Sequence, residues 1–552
     1  MTQMAPERIR ELVERERARL LEEAGLDEKR EHFRRPFERP FTAAERDATT
    51  ILISGLTLKH ESLVLGCLEG LGYKCDNLPV PDVRSFQLGK EYGNNGQCNP
   101  TYFTVGNLVK YLQGLRESGM PKEQIFDKYV YLTAGGCGPC RFGMYESEYR
   151  LALRNSGFDG FRVILFSQTG GLSQGQVEAG LKMDLDFFLT IISALAIGDL
   201  LNEVGYQIRP FEVEAGATDR ALQRCVAMMR ETLKDRSFVA LDRSRIRALF
   251  GVPGVKRAAK FWRYLFTDHF TSALEECRKL LAAIEVDRTR LKPVVKVTGE
   301  FWAQTTEGDG NFKMFRFLEG EGAEVLVEPI MTWVNYLLWQ VGQKFRHRFG
   351  APGHRNPFAH ASRMLKIALA NRLLNRAYDR YRGALGGTAH ALVNQLHLQR
   401  LGHPFYNANS MGGEGHLEVA KNIYYANKTL SHMVLSLKPF GCMPSTQSDG
   451  AQAAVVAKFP DMIYLPVETS GEGEINAHSR VQMALGEARR KAKEEFQRAL
   501  EGSGRGLGEV KGYVDAHPEL RGALYKVPKD ERYAGTAANF VAHVAARMGG
   551  AR

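Results

Sequence analysis

Cysteine is scarce in this chain. There are eight in 552 residues, at Cys67, Cys75, Cys98, Cys137, Cys140, Cys225, Cys277 and Cys442. The opening stretch MTQMAPERIRELVERERARLLEE is charged and helical and holds no apolar signal region. Scattered thiols without a leader exclude a disulfide framework and point to a reducing, cytoplasmic setting. No run of about 18 apolar residues is present, so no membrane span is expected. No GxxxxGK(S/T) and no complete activase-type phosphate motif occurs, so any ATP chemistry falls to a partner. No long Lys/Arg block carries the formal charge of +11, which reads as a diffuse basic surface. Such a surface suits an anionic small molecule or an acidic protein partner. No RNA- or DNA-binding signature accompanies it, and nucleic acid is not expected.

What is present is ordinary globular composition, 25% charged and 44% apolar, at a length that allows roughly two to four domains. Residues 1–48 read as a charged helical arm. Residues 50–175 then alternate buried strands (51–54, a weaker one near 73–78, 129–134 and 161–166) with helical patterns at 61–71 and 107–115. Residues 176–290 read as mostly helix. Strand patterns return at 292–298, 324–328, 434–437 and 462–465, within a second α/β stretch of 291–475 that carries a basic helical insertion at 332–400. A helix is expected over 450–458 and a long one from about 476 to 500, inside a C-terminal segment of 476–552. Strands alternating with helices predict α/β architecture with two doubly wound parallel sheets.

The motif that carries most information is Cys137-Gly-Pro-Cys140, in YVYLTAGGCGPCRFGMYESEYRLALRN. A buried strand leads into a glycine turn, the two thiols and then a helix. A helix N-terminus stabilises thiolates. In parallel sheets, ligand sites lie beyond the carboxyl ends of strands. Cys137, Cys140 and Cys442 each follow a buried strand directly, and Cys98 sits in a comparable polar loop, EYGNNGQCNP. The strand ends thus place four thiols where one interdomain cleft can gather them. Four readings remain open on residue pattern alone. A thioredoxin-like dithiol has the motif but lacks the Trp before it and any proline between Pro139 and Pro210. Structural zinc wants a second short knuckle. An iron–sulfur cluster accepts widely separated cysteines. Unligated burial fits Cys67, Cys75, Cys225 and Cys277 better than the loop cysteines. Acidic and imidazole groups are the other candidates: Glu300, Glu307, Asp309 and Asn311 after one strand, Glu468, Glu472 and Glu474 after another, with His416 and His478 as proton donors. Glu300, Glu468 and His416 are the candidate catalytic set. GGLSQG (170–175) and GGEGHLEVAK (412–421) are weaker anion-binding candidates.

The segments GKEYGNNGQCNPTYFTVGNLVKYL, AGGCGPCRFGMYESEYRLAL, KPFGCMPS and FPDMIYLPVETSGEGEINAHSRVQMAL together resemble the 2-hydroxyacyl-CoA dehydratase superfamily, in its acyl-CoA dehydratase activase-related branch. The resemblance spans roughly residues 50–490. It implies two Rossmann-like domains with a [4Fe-4S] cluster between them. In the dehydratases, three cysteines hold the cluster, one iron stays open for substrate, and an ATP-hydrolysing activase of the ASKHA type injects a low-potential electron. A ketyl radical on a 2-hydroxyacyl-CoA then expels hydroxide. A related branch carries a double-cubane cluster and reduces small molecules. This chain offers four loop cysteines, Cys98, Cys137, Cys140 and Cys442. That is one more than an open cluster uses, and too few for two cubanes unless buried cysteines join. A fourth thiolate closes the open iron and favours electron transfer. The resemblance therefore implies a cytoplasmic, anaerobic iron–sulfur protein served by an activase, with an acyl-CoA or another small molecule as substrate and a homodimer as a compatible assembly. A cluster-bearing scaffold and a true dehydratase subunit are the alternatives.

Overall fold

The run Thr50–Ile53, of β-branched and aliphatic residues, forms β1, with its last three residues buried. In the computed structural model, which describes residues 6–23, 38–136, 140–167, 180–239, 253–410, 413–427 and 429–549, β1 lies at the centre of a parallel sheet. Its neighbours are β2 (Lys74–Asn77) and β3 (Tyr129–Gly135), and β3 pairs in turn with β4 (Val163–Ser167), giving the order β2-β1-β3-β4. A second parallel sheet is built from β5 (Val294–Gly299), β6 (Glu324–Leu326), β7 (Met433–Pro439) and β8 (Tyr464–Thr469), in the equivalent order β6-β5-β7-β8. Parallel neighbours need crossover connections, and helices supply them, so the chain is mostly helical with two small sheets. In each sheet the strand order reverses between the first and third strands, β1/β3 and β5/β7. A ligand crevice opens at such a point.

The faces of the sheets differ. Ile51, Ile53, Val130 and Ile164 pack against helices Leu58–Gly70 and Leu185–Ile208, while Leu52, Tyr131 and Val163 pack against Asn99–Glu117 and Tyr145–Asn155. On the second sheet Val295, Val297, Leu435 and Leu437 pack with Leu318, Val481 and Leu485. Its other face turns Lys296, Thr298, Ser436 and Lys438 inward, toward helices Gly415–Asn427 and Met443–Lys458.

Residues Pro40–Arg552 form one compact unit, and Met1–Arg39, with helix Pro6–Glu23, forms another. Leu185–Phe211 is the one described helix long and apolar enough to cross a membrane, with a mean hydropathy of 1.6 over its best window. Asp186, Asp199, Asn202 and Glu203 keep it from being a continuous apolar run of about 18 residues. That window is 78% buried inside the protein, as expected of a helix apolar on nearly all sides. Its carboxylates do structural work: Asp199 accepts from Ile330 N at 2.7 Å and Met331 N at 2.8 Å, capping helix Ile330–Arg348 of the second half.

Two helices begin earlier than their apolar spacing predicts. The helix expected over 107–115 runs Asn99–Glu117 with Cys98 as its N-cap, and the one expected from Gly450 runs Met443–Lys458 with Cys442 as its N-cap. Each carries proline in its first turn, Pro100 and Pro444, where the missing N–H has no helical partner to lose. Gly450 lies inside its helix with open space around it.

Candidate metal centre

The loops that follow the sheets meet at a seam. The N–H of Asn99 donates to the Phe440 carbonyl at 3.0 Å. Arg141 donates from Nη1 to the Gly441 carbonyl at 2.8 Å. Gly441 has φ +73°, and a Cβ there would sit 3.4 Å from the Cα of Cys98 and 3.1 Å from Arg141 Nη1. Glycine thus serves twice, through its left-handed backbone and through the close approach of two segments of the chain. Tilted aromatic contacts hold the seam beside this point: Trp302 packs against Phe103 (ring centroids 5.5 Å apart) and Phe103 against Phe86 (5.2 Å). Glu307 and Asp309 accept across it from the N–H groups of Leu58 (3.2 Å) and Val83 (3.0 Å). These two acids, singled out as candidates by position, serve as ties between the halves.

All three described motif cysteines are N-caps. Cys98 precedes Asn99–Glu117, Cys140 precedes the short 3-10 turn Arg141–Met144, and Cys442 precedes Met443–Lys458. None of the three spends its side chain on the cap. Cys98 and Cys442 are buried, Cys140 partly so. The thiol of Cys98 lies 3.0 Å from Thr101 Oγ1 and 3.3 Å from the Tyr145 hydroxyl. Cys137 falls outside the described residues, as do 170–175.

Two carboxylates face this group. Glu300 caps helix Phe301–Thr305, accepting from Ala303 N at 2.9 Å. Glu414 accepts from Phe301 N at 2.7 Å, so both acids share one helix start. Glu300 keeps part of its surface exposed, yet its carboxyl is enclosed by protein. Desolvation, reinforced by the charge of Glu414, raises it to about 8. Burial raises Glu414 as well. Cys140 is pushed up to about 12, first by burial and then by Glu414, Glu300 and Cys98. Cys442 is pushed up strongly, by burial and then by the same two carboxylates.

A redox dithiol needs one thiol acidified toward neutral pH; Cys140, pushed up by its surroundings, is not that thiol. The same donor set suits a metal centre, because a bound cation replaces the thiol protons and offsets the nearby carboxylates. Among the described residues, no three His, Cys, Asp or Glu side chains converge in the arrangement of a mononuclear metal site. An iron–sulfur cluster asks instead for single thiols around a larger body.

The other candidates lie elsewhere. His416 is buried against Trp339, its ring nearly parallel at 10° with centroids 5.9 Å apart. Burial lowers it to about 4, so it is neutral at neutral pH. Glu468 lies within β8 rather than after it and is exposed, as are Glu472 and Glu474. His478 stacks on Phe317 at 3.8 Å, with Nε2 2.8 Å from the Phe312 carbonyl. Asn311 donates to the carbonyls of Ala303 and Thr306. Pattern reasoning did not single out Glu414, Arg141 and Tyr145. Arg141 and Tyr145 had a signal in their position just after the CxxC, and Glu414 in its glycine-rich loop. No protein-family model matches the chain, and no curated protein matches it.

Proposed function

We propose that the chain binds one [4Fe-4S] cluster through Cys98, Cys137, Cys140 and Cys442, and acts as an electron-transferring or reductive protein of the 2-hydroxyacyl-CoA dehydratase kind. A separate ATP-hydrolysing activase reduces it in an anaerobic cytoplasm. The two sheets are read as two Rossmann-like domains clasping the cluster. One observation carries this: the loops after β3 and β7, equivalent strands of the two sheets, abut through Arg141 and Gly441 and bring unspent N-cap cysteines to one seam. When bound, the cluster supplies low-potential one-electron chemistry.

The chain's own residues make the surroundings. Helix starts behind Cys98 and Cys442 favour thiolate charge. The hydroxyls of Tyr145 and Thr101 are placed to donate to Cys98. Trp302 and Phe103 keep water from one side. Glu300 retains its proton near neutral pH, a feature that also favours a second reading, in which one iron is open and a buried acid serves a substrate.

Anaerobic iron and sulfide analysis with EPR separates the two. Under four-thiolate ligation, Cys442→Ala lowers iron content and alters the EPR signal. Full iron with an unchanged signal removes Cys442 from the ligand set and makes the open cluster, with acyl-CoA turnover under activase and ATP, the leading reading. A wild-type protein that takes up neither iron nor sulfide defeats both.

A further inference from the structure

The positive charge is not diffuse. Residues 344–382 hold ten Lys/Arg against one acid, Asp379, in a chain whose net charge is +11. They occupy the end of helix Ile330–Arg348 and nearly all of helix Pro357–Ala384. On the second helix, Phe358, Leu365, Leu369, Arg372 and Arg376 recur at steps of seven, four, three and four, which places them on one stripe. Phe358 is 84% exposed, Leu365 70% and Leu369 53%. The arginine end of the stripe forms the lip of an open groove of about 850 Å³ between the two helices and the start of Gln395–Gly402. The groove floor is amide: Asn335 donates to Asn375 at 3.1 Å and Asn371 donates to Asn335 at 3.3 Å. Among the described residues, Arg346, Arg372 and Arg376 on the groove enter no ion pair, whereas Arg380 and Arg382 are held by Asp268 and Asp379.

We propose that this groove and its lip dock an acidic amphipathic helix of a partner protein. The partner's apolar face rests on Leu365 and Leu369, and its carboxylates meet Arg346, Arg372 and Arg376. Charge complementarity sets the sign of the partner, and the aliphatic stripe sets its class. A small phosphorylated ligand would need donors held in place, and these three guanidinium groups are exposed with no acid fixing them. Single-stranded nucleic acid would be met by several stacking aromatics along a basic track, and this stripe offers one, Phe358, before continuing in leucines. A bilayer surface is flat and would leave the concavity between the two helices unfilled, whereas a single helix can lie in it. This inference is independent of the cluster reading.

The test uses the full-length protein and a fluorescein-labelled synthetic helix with glutamates on one face and leucines on the other. A scrambled peptide of equal composition, duplex DNA, and phosphatidylcholine–phosphatidylglycerol vesicles serve as competitors. The amphipathic peptide is expected to bind saturably, more weakly as salt rises. It should bind roughly tenfold tighter than the scrambled one, with roughly tenfold losses in Arg372→Glu/Arg376→Glu and separately in Leu365→Asp/Leu369→Asp at unchanged circular dichroism. Equal binding of the scrambled peptide, unchanged affinity in either variant, no binding, or preferential capture of DNA or vesicles overturns the proposal.

Discussion

The first sheet buries aliphatic and aromatic side chains on both faces, Ile51 and Val130 on one, Leu52 and Tyr131 on the other. The second does so throughout one face, while the other mixes Val294 and Val434 with buried charged and hydroxyl groups. On its opposite face Lys296, fully buried, sits 2.8 Å from Glu328 and 4.1 Å from the centre of the Tyr425 ring. Nearby, Glu418 accepts from Ser436 at 2.7 Å and Ser448 at 2.8 Å, and pairs with Lys438 at 3.4 Å. Replacing such pairs with packed hydrophobic residues is often neutral or stabilising, so stability alone does not account for this face. The strands that carry it, β5 and β7, run on into Glu300 and Cys442. The first sheet is a scaffold that presents Cys98 and Cys140, while the second brings charge to the same seam.

The largest expected effect breaks the charged face and leaves the apolar one intact. Lys296→Met strands the Glu328 carboxylate and should cost about 3–5 kcal/mol. Lys296→Met with Glu328→Leu should recover much of that loss. Leu52→Ala in the first sheet should cost about 2–5 kcal/mol and admit no such rescue. Denaturation followed by tryptophan fluorescence checks all three. Equal cost for the single and double second-sheet variants would remove the distinction between the faces.

A somewhat smaller effect appears with pH. At this contact the partners diverge: the ammonium draws Glu328 down to about 2, whereas burial outweighs the carboxylate at Lys296 and lowers it to about 8. In the acid range Lys296 stays charged, so Glu328 alone sets the slope. Its folded pKa is depressed, so its stabilising contribution is full above the unfolded value near 4.3 and is lost as pH falls toward about 2. The loss should approach about 3 kcal/mol. Glu328→Gln should flatten stability across that window, and an undiminished acid slope in that variant would assign the loss to other carboxylates.

Much of the architecture could be read from the sequence because strands of a doubly covered sheet appear as continuous apolar runs. The runs at 129–134 and 434–437 lie within observed strands, and the run at 51–54 does so as far as Ile53. The pattern at 292–298 survives Lys296 because its neighbours Val294, Val295 and Val297 are all buried. The helix starts at Cys98 and Cys442 were obscured by Gly, Asn and Pro, which signal loops as strongly as they signal N-termini. At the seam, the cysteines were visible by their spacing. Arg141 and Glu414 were not, since their parts depend on approaches between segments far apart in the chain, 300 residues in the case of Arg141 and Gly441. His416 and Glu468 had suitable chemistry and loop-like settings, but only the fold could show one buried on Trp339 and the other exposed. The basic, helical character of 332–400 was legible, but its arginines recur at helical spacing rather than in a run, so only the fold shows them gathered on one groove.

The smallest effect sharpens the comparison at two glycines with similar backbone needs and different surroundings. Gly55, after β1, has φ +108° and nothing within 4 Å of an added Cβ. Gly441, after β7, has φ +73° and would press on the Cys98 backbone, the Gln97 carbonyl and Arg141. Gly55→Ala should therefore cost only backbone strain, about 1–3 kcal/mol because φ +108° lies beyond the left-handed basin. Gly441→Ala adds contacts tight enough to shift the Cys442 loop by a few tenths of an ångström, with a total cost of about 1–2 kcal/mol. The energies differ little, but the consequences should not. If the seam holds the cluster, Gly441→Ala releases iron faster than Gly55→Ala under an anaerobic chelator, with both folds unchanged by circular dichroism. Equal release rates would mean that the approach of Gly441 to Cys98 matters for packing the two halves and not for the metal.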